Sequence, residues 1–123
     1  MEWLHLGKGN QISGTIPLEL GELSNLVILS LGNNQLTGSI PSEITKLINL
    51  EMLGLQNNQL ISTIPVEIEN LSNLAVAYFD NNQISGVIPT TVGKLNNRLV
   101  DLRLNNNLLE GSIPPEIALL CKL

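Results

Sequence analysis

Aromatic residues are nearly missing from this chain: Trp3, Tyr78 and Phe79 are the whole set, 2% of 123 residues. Its interior must therefore be aliphatic, built from Leu and Ile rather than from the large ring systems that dominate many cores. Basic residues are also few. Six Lys and Arg are scattered against eleven Asp and Glu, for a net charge of −5, so there is no basic face of the kind that nucleic acid requires. Cys121 is the single cysteine, which excludes an intrachain disulfide. His5 is the single histidine, at the opposite end of the chain from Cys121, and a Cys–His nucleophilic pair is not expected. No run reaches the length of apolar sequence that a membrane-spanning helix needs, and Met1-Glu2-Trp3 leads into ordinary sequence without the basic segment and apolar run of a signal peptide. Phosphate-binding glycine loops and kinase signatures are absent as well.

What the chain has is a clock. Ile-Pro recurs at Ile16-Pro17, Ile40-Pro41, Ile64-Pro65, Ile88-Pro89 and Ile113-Pro114, in three equal steps and a fourth that is one position longer. Asn10, Asn34, Asn58, Asn82 and Asn107 keep the same steps. A fixed period of roughly 24 residues predicts a stack of near-identical supersecondary units instead of one closed core. The units divide the chain into a single array of repeats over residues 1–25, 26–49, 50–73, 74–98 and 99–123.

The second unit can be read physically. Leu29-Ser30-Leu31 alternates apolar and polar, the signature of a short strand with one buried face. Asn33-Asn34 then turns the chain, because Asn tolerates left-handed backbone and bonds nearby peptide groups. The strict recurrence of Asn34 predicts an inward ladder, amide stacked on amide, serving backbone left unpaired at the bend. Thr37-Gly38-Ser39 bends the chain again, Ile40 buries, and Pro41 fixes φ at the start of a return segment. Ile44, Leu47 and Leu50 are spaced for one inward-facing helical or 3₁₀ turn. Such a unit buries its apolar side only by stacking on neighbours, with strands about 4.8 Å apart in a parallel sheet. The fold class expected is α/β: a right-handed solenoid with a parallel concave β-sheet and short 3₁₀ or helical convex segments.

The pattern Leu50-x-x-Leu53-x-Leu55-x-x-Asn58-x-Leu60, continued by Leu36-Thr37-Gly38-Ser39-Ile40-Pro41 and Ile84-Ser85-Gly86-Val87-Ile88-Pro89, resembles the plant-type leucine-rich repeat over essentially the whole chain. That family includes ectodomains of receptor-like kinases and receptor-like proteins, and secreted polygalacturonase inhibitors. The resemblance implies a second short sheet near the Gly-x-Ile-Pro segments, ligands on the concave face, and an extracellular or cell-surface location. Complete members carry cysteine-bearing caps; without them, the chain is expected to be a fragment with further repeats on at least one side. Several positions depart from the pattern. Gly7-Lys8-Gly9 holds an extra residue, as does Asn96-Asn97-Arg98. Ser62 replaces the glycine found at Gly14, Gly38, Gly86 and Gly111, which strains it if the position needs positive φ. Ala77 and Phe79 trade a small core residue against a large one.

Function is then sought among residues that the stack does not dictate. The outward strand positions give three concave columns: Ile28, Met52, Val76 and Asp101; Ser30, Gly54, Tyr78 and Arg103; Gly32, Gln56, Asp80 and Asn105. Ser30, Gln56 and Asn105 supply polar contacts, and Tyr78 with Arg103 belongs to the residue types that dominate binding surfaces. Tyr78 is expected to be exposed, and Arg103 to pair with Asp80 or Asp101. A protein or peptide ligand on this face, with no cofactor and no metal, is the function expected: recognition without catalysis, as part of a receptor ectodomain in signalling or defence. The alternatives are a secreted inhibitor of a cell-wall-degrading enzyme and a purely structural repeat fragment. Glu19, Glu43, Glu67 and Glu116 recur shortly after Ile-Pro. They read as solvated acids at helix starts rather than calcium ligands. Asn70-Leu71-Ser72 is a glycosylation sequon. His5 is expected in solvent and Cys121 as a buried thiol.

Overall fold

A computed structural model of the chain describes residues 1–120 and 122, so the thiol expected at Cys121 lies outside the described residues. The strands follow one another as β1 (Trp3–His5), β2 (Ser13–Thr15), β3 (Ile28–Ser30), β4 (Gln35–Ser39) and β5 (Met52–Gly54), then β6 (Gln59–Ile61), β7 (Val76–Tyr78), β8 (Ser85–Val87), β9 (Asp101–Arg103) and β10 (Leu108–Glu110). The odd-numbered strands pair in parallel as one five-stranded sheet in chain order, the concave wall of a solenoid. Opposite them lie 3₁₀ turns at Leu18–Glu22, Ser42–Lys46, Val66–Asn70, Thr90–Leu95 and Pro115–Leu119.

Proline sets each of these turns. Pro17, Pro41, Pro65, Pro89 and Pro114 precede them with φ between −58 and −66°, the value their rings impose. Their carbonyls then accept the i+3 bonds that define a 3₁₀ turn, as Pro41 does from the Ile44 amide at 3.1 Å. The turns end within five or six residues and send a leucine back inward. Leu47, Leu50, Leu71, Leu74 and Leu99 are at most 1% exposed, as are the strand leucines Leu29, Leu53 and Leu55. Each such side chain contributes about 2 kcal/mol on burial, and the Leu-Ile stack is one continuous cluster. Ala77 and Phe79 are both 1% exposed, so the small and the large residue both sit in the core.

Register shows where the clock slips. Leu29 lies beside Leu53 and Leu53 beside Ala77, each a single period on, but Leu4 pairs with Leu29 and Ala77 with Leu102, a period plus one position. The extra residues are taken up at residues 7–9 and 96–98, outside the strands. The second sheet is present but divided: β2, β4 and β6 form one part, β8 and β10 another. The division falls at Ser62, whose φ is 76°, the same left-handed conformation as the glycines at 14, 38, 86 and 111. Two backbone bonds still cross it, Gln83 to Leu60 at 2.8 Å and Ser85 to Ser62 at 2.7 Å.

Candidate functional site on the strand face

Where the three-residue strands end and the chain bends, asparagines hold the exits. Asn58 Nδ2 donates to the carbonyls of Leu31 in the preceding repeat and Leu55 in its own, at 3.1 and 3.2 Å, while its Oδ1 accepts from the Leu36 amide at 3.0 Å. Asn34, Asn82 and Asn107 repeat the scheme, reaching back to Leu6, Leu55 and Phe79. Each inward amide grips backbone of two adjacent repeats rather than hydrogen-bonding the amide of the next. Asn10 differs, since its amide donates only to Leu6 and Gly7 of its own repeat. Side-chain bonds between asparagines do occur one residue earlier, from Asn57 to Asn33 and from Asn106 to Asn81, at 2.8 and 2.7 Å. Those four residues hold φ between 55 and 58°, and turn chemistry alone gives no sign that their side chains join.

On this frame the outward positions line up in rows across the sheet. Trp3, Ile28, Met52, Val76 and Asp101 are in register, and so are His5, Ser30, Gly54, Tyr78 and Arg103. Trp3 is not among the sequence candidates. It extends the apolar row to four strands and is 62% exposed. The signal is present in the alternation of Trp3-Leu4-His5, but the extra residue after Leu6 obscures its alignment. His5 is exposed, as expected.

Tyr78, Asp101 and Arg103 form one connected cluster. The Tyr78 hydroxyl donates to Asp101 Oδ2 at 2.9 Å. Arg103 pairs with Asp101 through Nη2 at 3.0 Å and Nε at 3.3 Å, and its guanidinium lies 4.2 Å from the centroid of the Tyr78 ring. Tyr78 is thus half-buried under Arg103 rather than exposed. Each of these contacts alone is worth little at a surface, but together they lock three side chains in one arrangement. The Arg103 hydrogen bond holds the Asp101 carboxyl below the usual aspartate range, outweighing partial burial, which pushes it the other way, while the Tyr78 hydroxyl adds a smaller lowering. Tyr78 is pushed up, first because its proton is held by Asp101 and then by burial.

The third column departs from the exposed face expected of it. Asp80 is buried, 9% exposed, and its Oδ2 accepts from Asn81 Nδ2 at 2.7 Å; Arg103 bonds Asp101 instead. Gly32 is buried too, because the Gln56 amide folds over it: a Cβ at Gly32 would stand 2.5 Å from that amide. Asn105 is exposed, and Ile28, Ser30, Met52, Gln56 and Val76 are half-buried. Asn70 is exposed at the end of its 3₁₀ turn. Among the described residues no helix is long and apolar enough to cross a membrane.

A solenoid with a parallel strand wall, 3₁₀ returns and an asparagine at every bend defines a class of repeat protein. The chain belongs to the leucine-rich repeat family, whose model, described as Leucine Rich Repeat, matches residues 25–47, 49–71 and 98–120. Comparison with curated protein sequences gives no match. Among solved structures, the chain is similar to the plant peptide hormone receptor RGFR1 in complex with RGF2, with 38% identity and a TM-score of 0.96 over 100% of this chain and 19% of that one. It is also similar to the leucine-rich-repeat ectodomain of the Arabidopsis thaliana membrane receptor kinase GASSHO1/SCHENGEN3 in complex with CASPARIAN STRIP INTEGRITY FACTOR 2 (45% identity, TM-score 0.91, 94% of this chain and 14% of that one). A third is the Arabidopsis receptor kinase HAESA in complex with the peptide hormone IDA and the co-receptor SERK1 (41%, 0.86, 96% and 19%). The chain spans less than a quarter of the length of each of these receptors.

Proposed function

We propose that this array is a non-catalytic recognition module of an extracellular, receptor-like protein, and that it holds a protein or peptide ligand on its strand face. The observation that carries the reading is the Tyr78–Asp101–Arg103 cluster. Its three side chains sit on the solvent side of the sheet, and the Leu-Ile-Asn frame does not need them. A pre-ordered Tyr–Arg pair beside the aliphatic row through Met52 and Val76 offers a partner both apolar area and fixed polar direction. The resemblance to receptors whose structures contain bound peptides supports this choice of ligand class. The same reading has a glycan attached at Asn70, on a 3₁₀ turn rather than on the strand face.

The test is binding of peptides from a random-sequence library to the full chain, compared with the Tyr78→Ala/Arg103→Ala double variant. Selected peptides should lose at least about tenfold in affinity, while unfolding free energy falls by no more than about 1 kcal/mol. Undiminished affinity in the double variant would overturn the assignment of the face.

A further inference from the structure

Row three of the strand face contains two oxygen atoms that are buried yet accept no hydrogen bond from the described residues: Asp80 Oδ1 and Gln56 Oε1. Both belong to the face assigned above to ligand binding, and the inference rests on that assignment. The two residues occupy equivalent places in neighbouring repeats, since the Asn57 amide that follows Gln56 donates to the Asp80 carbonyl at 3.0 Å. Asp80 is the more telling. Its other oxygen is satisfied by Asn81, which fixes the carboxylate, and the guanidinium of Arg103 is engaged by Asp101. A carboxylate oxygen left without a donor and out of contact with water, on a residue 9% exposed, costs free energy that a charged donor recovers. Gln56 Oε1 lies over glycines of the strand face, 3.2 Å from a Cβ built at Gly54.

We infer that Asp80 is the receiving point for a cationic side chain, Lys or Arg, carried by the peptide ligand. Gln56 Oε1, one repeat toward the N-terminus, takes a second donor from the same ligand. The row of Ser30, Gly54 and Tyr78 lies between these two acceptors and the aliphatic row of Met52 and Val76, which sets the outer rows about 13 Å apart along extended chain. A ligand that fits presents its cation and an aliphatic side chain at about that separation. The net charge of −5 favours the approach of such a ligand.

Peptides selected on the full wild-type chain from a random-sequence displayed library provide the test. One position should be dominated by Lys or Arg. Replacing that residue with norleucine in a selected peptide should weaken binding at least about tenfold, and so should Asp80→Asn, which keeps the side-chain shape. Combining the two should weaken binding little further, as for partners in direct contact. Selected peptides without a basic position, or losses that multiply independently, overturn the inference while leaving the binding face intact. A basic preference that emerges only with Arg103→Ala means that Arg103 itself fills Asp80, and overturns it as well. Failure of wild type to select any peptide removes the binding-face assignment along with it.

Discussion

Asn82 gathers four backbone groups around one buried amide: the carbonyls of Leu55, Phe79 and Asp80 and the N–H of Leu60. Truncation strands several of them away from water. Asn82→Ala should therefore cost about 1–3 kcal/mol in urea unfolding, whereas Asn10→Ala, whose amide is exposed and bonds only its own repeat, should change stability by no more than about 0.5 kcal/mol. Equal costs at both positions would refute this division. The lone tyrosine gives a second test. Its phenolate absorbance reports Tyr78 alone, with a midpoint expected above 10.0 because Asp101 holds the proton; Asp101→Asn should bring the midpoint down. Asp101 itself is depressed by Arg103, so what it adds to stability is present above the aspartate value of the unfolded chain and is lost as pH falls through the lower folded value. An NMR titration should place its carboxyl midpoint below 3.8, and Arg103→Ala should move that midpoint upward. Residue identity makes Tyr78 and Arg103 legible in the sequence, because alternation puts them outward. The burial of Asp80 is not legible, since it depends on Asn81 turning its side chain back and on what neighbouring strands place alongside.

At the scale of elements, the second sheet shows how a side chain in one repeat limits the residue that packs on it in the next. A Cβ at Gly38 would meet Thr15 Cγ2 at 2.9 Å, and one at Gly86 would meet Thr63 Cγ2 at 2.9 Å, in each case a residue of the preceding repeat. Ser62 carries a real Cβ at that place, and the matching position in the repeat before it is Ser39, which has no γ-methyl. Room is thus available, but left-handed backbone is still unfavourable for a residue with a Cβ. Ser62→Gly should raise stability by about 0.5–1 kcal/mol, the strain relief being partly offset by greater freedom of the unfolded chain. Ser39→Thr should destabilise the parent chain yet be nearly neutral beside Ser62→Gly; thermal unfolding of the four variants decides, and strictly additive effects would rule the contact out. Sequence periodicity reveals the requirement for positive φ at this position. It does not reveal that the residue at this position lies against the side chain one repeat earlier, as Gly38 does against Thr15, since that placement exists only once consecutive repeats are laid side by side.

Across the whole molecule, each repeat touches mainly its neighbours, so stability is a sum of unit and interface contributions. In this 123-residue chain, amide hydrogen exchange should be slowest in β3, β5 and β7, each paired with a strand on both sides, and faster in β1 and β9; uniform protection would contradict this. Architecture is readable because Ile-Pro, the inward leucines and the bend asparagines answer steric demands that recur in every unit. Ligand chemistry is less so, because it depends on pairs such as Tyr78 and Asp101 that stand in different repeats and meet only through the fold. The asparagine arrangement has a further consequence for how such a chain can lengthen. Each ladder amide beyond Asn10 points back toward the repeat before it, so a duplicated segment arrives already carrying the group that seals it to its predecessor. Whole copies can be spliced in without leaving any bend unsealed. Single-residue insertions, by contrast, are tolerated where the chain has placed its own two, at residues 7–9 and 96–98, away from the amides that join one copy to the next.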